Sequence, residues 1–114
     1  MSVPALLVLV TVPDQADAAA IGHALVEERL AACVNLIGPI RSIYRWEGTV
    51  ADEGEFLLLI KTRPELYTAL ETRVRALHSY QVAEVIAVPI ERGSAPYLQW
   101  LAQATGTPGR GSPQ

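Results

Sequence analysis

Three side chains have the chemistry to hold a metal ion. Cys33 is a soft donor suited to Cu(I) or Zn(II), His78 is a borderline donor suited to Cu(II) or Zn(II), and Glu84 adds an oxygen. Cys33 and His78 stand far apart in the chain. Neither has a second cysteine or histidine at chelating spacing, and no C-x-x-C or H-x-x-x-H occurs. A preformed structural site within one chain is therefore not expected. A site assembled around a symmetry axis stays open, because symmetry brings identical donors together. Each residue also has a plainer reading. Cys33 suits a small buried position near the start of a strand. His78 suits a helix end, meeting the last carbonyls and the negative end of the dipole. His23 falls in the middle of a helix, where a structural or solvent role is expected.

A second group is Tyr44, Trp46, Glu55, Lys61, Tyr80 and Glu84. A lysine and a glutamate brought to an aromatic wall would bind a small polar ligand or an ion in a cleft. The same residues would equally serve as an ion pair between subunits, with Tyr44 and Trp46 as interface packing. Catalysis has little support, and no enzymatic activity is expected. Ser42, Ser79 and Ser94 lack a G-x-S-x-G setting. A Cys33–His78 nucleophile would have no third group to orient it. The glycine-rich stretch 106–111 precedes no helix and is not a phosphate loop.

These residues need a scaffold, and the chain is long enough to supply one. Its 114 residues fit one domain with a real core. Hydrophobic residues make up 50 % and charged residues only 18 %, so some apolar surface is expected to be covered by another copy of the chain. A net charge of −3 gives no reason to expect nucleic acid or an anionic membrane. The single cysteine excludes an intramolecular disulfide and suits a reducing compartment. The apolar N-terminal run lacks a basic region and stops at Pro13-Asp14. It reads as a strand rather than a signal or membrane segment, and a cytoplasmic location is the expectation.

Residues 5–12 (ALLVLVTV) read as a strand buried on both faces. Asp14 is placed to cap a helix by accepting from the Asp17 N–H, and Ala18, Ile21 and Leu25 mark its apolar face. Gly22 within that helix suggests a close neighbour. Residues 32–46 form a second strand with a bend at Gly38-Pro39. The polar stretch 47–55 reads as a hairpin tip, followed by a third strand over 56–60. Thr62 and Glu65 have capping-box spacing, with Pro64 in the first turn, before a stripe of Leu66, Leu70, Val74 and Leu77. A fourth strand over 82–90 and a short helix over 96–104 follow. The domain spans 1–104, and 105–114 is a polar tail expected to be flexible. The order β-α-β-β-α-β plus a terminal helix predicts an α+β ferredoxin-like sandwich with an antiparallel sheet. The second and third strands should project as an extended hairpin whose open edge joins subunits.

The segment 31–62 resembles the CutA family of divalent-cation tolerance proteins. The matching pieces are Ala32-Cys33-Val34-Asn35, Ser42-Ile43-Tyr44-Arg45-Trp46, Gly48, Glu55 and Lys61-Thr62. Further on, residues 78–85 (HSYQVAEV) resemble the family's His-Pro-Tyr-x-x-Pro-Glu-Ile stretch, and Tyr97, Leu98 and Trp100 its Tyr-Leu-x-Trp. Ser79 and Ala83 stand where the family usually has prolines, which would stiffen that turn through fixed φ. The resemblance covers residues 6–104. It implies a ferredoxin-like fold, a tight homotrimer and a role in metal tolerance, notably toward copper. No cofactor is required; copper or another divalent cation is the candidate ion. The family is also similar in structure to the PII signalling trimers, which bind small effectors between subunits. The rival readings are thus a PII-like small-molecule sensor, and a trimeric scaffold that presents its hairpin tip or tail.

Overall fold

The aliphatic run after Ala5 forms β1 (Leu6–Val12). A computed structural model describes residues 4–106. Pro13 ends the strand, and the Asp14 carboxylate accepts from the Asp17 N–H at 2.8 Å to start α1 (Gln15–Glu27), as its spacing predicts. Ala18, Ile21 and Leu25 are the buried side of this helix. The close neighbour of Gly22 is the second strand: a β-carbon there would lie 3.4 Å from Val34 Cγ1.

The longest elements are β2 (Cys33–Trp46) and β3 (Thr49–Thr62). The hairpin tip is only Glu47-Gly48, not the whole stretch 47–55. Both residues have left-handed φ, +49° and +84°, the turn whose twist suits a two-residue hairpin. Residues 49–55 are strand despite their polarity, because cross-strand partners hold them. Arg41 donates to both Asp52 carboxylate oxygens at 2.8 and 2.7 Å, and Tyr44 donates to Glu53 at 2.6 Å. The bend at Gly38-Pro39 is a bulge: Ile37 pairs with Leu57 and Ile40 with Glu55, leaving two residues opposite Phe56 alone. A β-carbon at Gly38 would fall 2.6 Å from the Phe56 ring, so only glycine fits.

Thr62 does not cap the next helix. It is still strand, paired with Leu6, and its hydroxyl donates to the Leu30 carbonyl at 2.7 Å. Arg63 takes the capping position instead, Pro64–Leu66 make one 3-10 turn, and α2 (Tyr67–Leu77) follows with Leu70 and Val74 buried. The fourth strand, β4 (Val85–Pro89), is shorter than the expected 82–90. Its ladder with β1 ends at Val10↔Val85, so residues 82–84 stay outside the sheet. Finally, α3 (Ala95–Ala104) packs Leu98 and Leu101 on Ala5 and Ala32, beside the starts of β1 and β2. Thr105 is also built in: it is buried and accepts from Arg63 at 2.7 Å, one residue beyond the expected domain end. The expected flexible tail, from residue 107 on, lies outside the described residues.

The sheet order is β2-β3-β1-β4 with every neighbour antiparallel, the α+β ferredoxin-like arrangement expected from the element order. One sheet face is closed. Val8, Val10, Val12, Leu58 and Ile60 pack there on Ile21, Leu25, Leu70 and Val74. The other face is not covered by the described residues, so β1 is fully buried on one side only. Leu7, Leu9, Leu57 and Leu59 are half-buried on it, and Ile37, Ile86 and Val88 are 44, 50 and 46 % exposed. Beyond Phe56 the third strand has no strand partner but β2 among the described residues, so residues 40–46 and 49–55 form a two-stranded arm. The molecule measures 49 × 26 × 22 Å.

Candidate functional site: an acid-lined cleft at the base of the arm

The sheet has two ends, and they divide the candidate residues. At one end, Cys33 pairs with Lys61, and Lys61 with Leu7. At the other, His78 sits at the end of α2 with its Nε2 2.7 Å from the Thr11 carbonyl. Four residues of β1 separate these positions, roughly 13 Å at strand rise. Cys33 and His78 therefore do not share a site within one chain.

His78 has both ring nitrogens in use. Nδ1 accepts the Tyr80 N–H at 3.0 Å, which leaves Nε2 to carry the proton and donate to Thr11. That bond occupies a β1 carbonyl just past the end of β4, and the ring lies 4.8 Å from that of Tyr80. The pair fixes the segment that leads to Glu84, despite Ser79 and Ala83 standing where prolines are usual. Among the described residues, no three His, Cys, Asp or Glu side chains are grouped to hold a metal ion.

Tyr44, Trp46, Glu55, Tyr80 and Glu84 do come together, in a cleft of about 740 Å³ between the arm and the segment before β4. Lys61 is not among its lining residues. It stands six residues along β3 from Glu55, roughly 20 Å away. Its ammonium instead meets the Asn35 side chain on the uncovered sheet face, where the Cys33 thiol also donates to Asn35 at 3.7 Å. Thr11, Ser42, Glu53 and Ser79 line the cleft and were not anticipated. Glu53 and Glu55 alternate as strand residues on one face do. That signal disappears when 47–55 is read as a loop.

Glu55 is the buried charge of the site, only 4 % exposed, and its Oε2 accepts from the Tyr80 hydroxyl at 2.9 Å. Burial first, and then this hydrogen bond, raises the Tyr80 phenol well above its ordinary range. The Tyr44 phenol is pushed up to about 12, chiefly by its hydrogen bond to Glu53. A raised folded value means that the neutral phenol favours the fold. That contribution is complete below pH 10 and disappears as pH rises through about 12. Ultraviolet titration should show a phenolate transition near pH 12 that Tyr44→Phe removes. A Tyr44 that ionises near pH 10 would contradict the Glu53 hydrogen bond.

The elements thus define an α+β domain with a ferredoxin-like sheet, a projecting arm and a ligand-sized cleft at its base. The sequence profile described as "CutA1 divalent ion tolerance protein" matches residues 6–104, and the chain belongs to this family. It is 51 % identical over 100 residues to the divalent-cation tolerance protein CutA of Thermus thermophilus, covering 88 % of this chain and 97 % of that one. It is 53 % identical over 96 residues to human protein CutA, covering 84 % of this chain but spanning only 54 % of the human protein. The solved Thermus thermophilus protein superposes with a TM-score of 0.87 at 50 % identity, over 90 % of this chain and 99 % of that chain. CutA1 from Oryza sativa superposes at 0.89 with 46 % identity, over 92 % and 96 %. None of these names is that of an enzyme.

Proposed function

We propose that this chain is a homotrimeric metal-tolerance protein that binds copper or a similar ion at sites completed between subunits, without catalysing a reaction. What supports this most is the uncovered apolar sheet face. An antiparallel sheet that meets water normally alternates apolar with polar residues. Here Leu7, Leu9, Ile37, Leu57, Leu59, Ile86 and Val88 make the uncovered set largely apolar as well, which supports another copy of the chain as the missing layer. Cys33 lies on that face beside Asn35 and Lys61, and association around an axis would bring copies of the thiol toward one another. Cys33 is the donor proposed to act first. His78, at the other end of the sheet, would donate at a separate site with Glu84 in support, and only once the Tyr80 N–H released its Nδ1. A thiol serving as a ligand must stay reduced, which agrees with a cytoplasmic site of action.

Light scattering should return three times the chain mass, and isothermal titration of the trimer with Cu(I) and Cu(II) should saturate. Unchanged binding in Cys33→Ser plus His78→Ala defeats the proposal, as does a folded protein that remains a monomer. The volume and aromatic walls of the cleft favour a second reading, in which the trimer senses a small molecule there.

A further inference from the structure

The charged side chains of the cleft at the base of the arm are all acidic. Glu53 and Glu55 come from β3 and Glu84 from the segment before β4, and among the described residues no lysine, arginine or histidine lines the walls. On the arm, Arg41 is engaged by both oxygens of Asp52, and Arg45, between Tyr44 and Trp46 in the strand, is not among the lining residues. Two phenols donate into this field, Tyr44 to Glu53 and Tyr80 to Glu55. A hydroxyl donates one proton and leaves the carboxylate's charge in place. Glu55 is 4 % exposed, yet its Oε1 meets no donor among the described residues. No buried side-chain oxygen among the described residues is left without a partner, so Oε1 is reached by solvent and open to a ligand in the cleft it lines.

The type of cation follows from the geometry. A hard metal ion needs several oxygens converging at about 2.0–2.6 Å. The carboxylates here are not grouped in that way. They are spread over a space of about 740 Å³, and Tyr44, Trp46 and Tyr80 stand between and beside them. Aromatic faces favour an organic ammonium group, and apolar walls favour a methylene stem. We propose that the cleft binds a linear organic dication, a protonated di- or polyamine. One ammonium lies at Glu55 and Glu53, and the other reaches toward Glu84. The proposal rests on the second reading above, that the cleft is a ligand site, and is independent of metal binding at Cys33.

Trp46 lines the cleft and reports on it; a Trp100→Phe background silences the other tryptophan. Titrating the intact assembly with putrescine and spermidine should give a saturable change in Trp46 fluorescence. Magnesium chloride and potassium chloride at equal ionic strength should not give it. Glu55→Gln, which can still accept from Tyr80, should weaken amine binding by about tenfold or more, as loss of a charge-assisted contact does. The exposed Glu84→Gln should weaken the diamine while leaving the melting temperature of the free protein unchanged. Amine binding that is indifferent to both substitutions overturns the proposal. A response to an anionic metabolite such as ATP, with none to amines, overturns the ligand class while the cleft stands. No response to any probe overturns the cleft reading itself, whatever copper does at Cys33.

Discussion

Leu58→Ala should destabilise the folded chain by about 2–5 kcal/mol, the range for removing a large aliphatic side chain from a close-packed core. Leu58 is fully buried in the middle of β3, paired with Val10 on one side and Leu36 on the other. The core cluster to which it belongs joins both helices to the sheet, with Ile21 and Leu25 from α1 and Leu70 and Val74 from α2. The neighbours around the vacated space are themselves fully buried, so they have little freedom to close it. Urea unfolding at one fixed protomer concentration is the appropriate measurement, because association adds its own stability by mass action. A change below about 1 kcal/mol would mean that the helix layer does not pack on β3 in this way.

Leu59→Glu should act on association and not on the fold. Leu59 is one residue further along β3 and points to the opposite side, between Leu9 and Asn35 on the uncovered face. It is only half-buried in the protomer, so a carboxylate there stays hydrated in the isolated chain. In an assembly that covers this face, the same group would be buried without a partner, at several kcal/mol per subunit. The scattering mass should fall from an oligomer to a monomer that keeps its helical and strand content. An unchanged mass would show that copies meet on some other surface.

The sequence carried the order of the elements more faithfully than their ends. The apolar runs at 5–12 and 56–60, the Asp14 cap and the stripe through Leu70 and Val74 are local patterns, and each lies within a residue of its place or inside the element it marks. The tip of the arm is the exception. Asp52 and Gly54 have no strand character until Ile43 and Arg41 are set against them, and cross-strand pairing is not visible along one chain. Thr62 and Glu65 made the capping-box pattern, but β1 recruited Thr62 as a strand residue. The site was legible by type and not by place. Tyr44, Trp46, Glu55, Tyr80 and Glu84 converge. Lys61 fits them by type, charged and at the end of a strand, but strand direction carries it to the far end of the sheet. The family resemblance over 6–104 anticipated the profile match over the same residues.

The arm has a thermodynamic consequence of its own. Among the described residues, 40–46 and 49–55 have no ladder partner but each other, and a two-stranded ribbon in water is marginal at best. Its amide protons should exchange through local fraying in a lone protomer, while those around Val8 and Leu58 wait for global opening. Whatever docks along the ribbon lends it protection, so isotope exchange there measures how much of the population is assembled, and exchange in the central strands measures how much is folded.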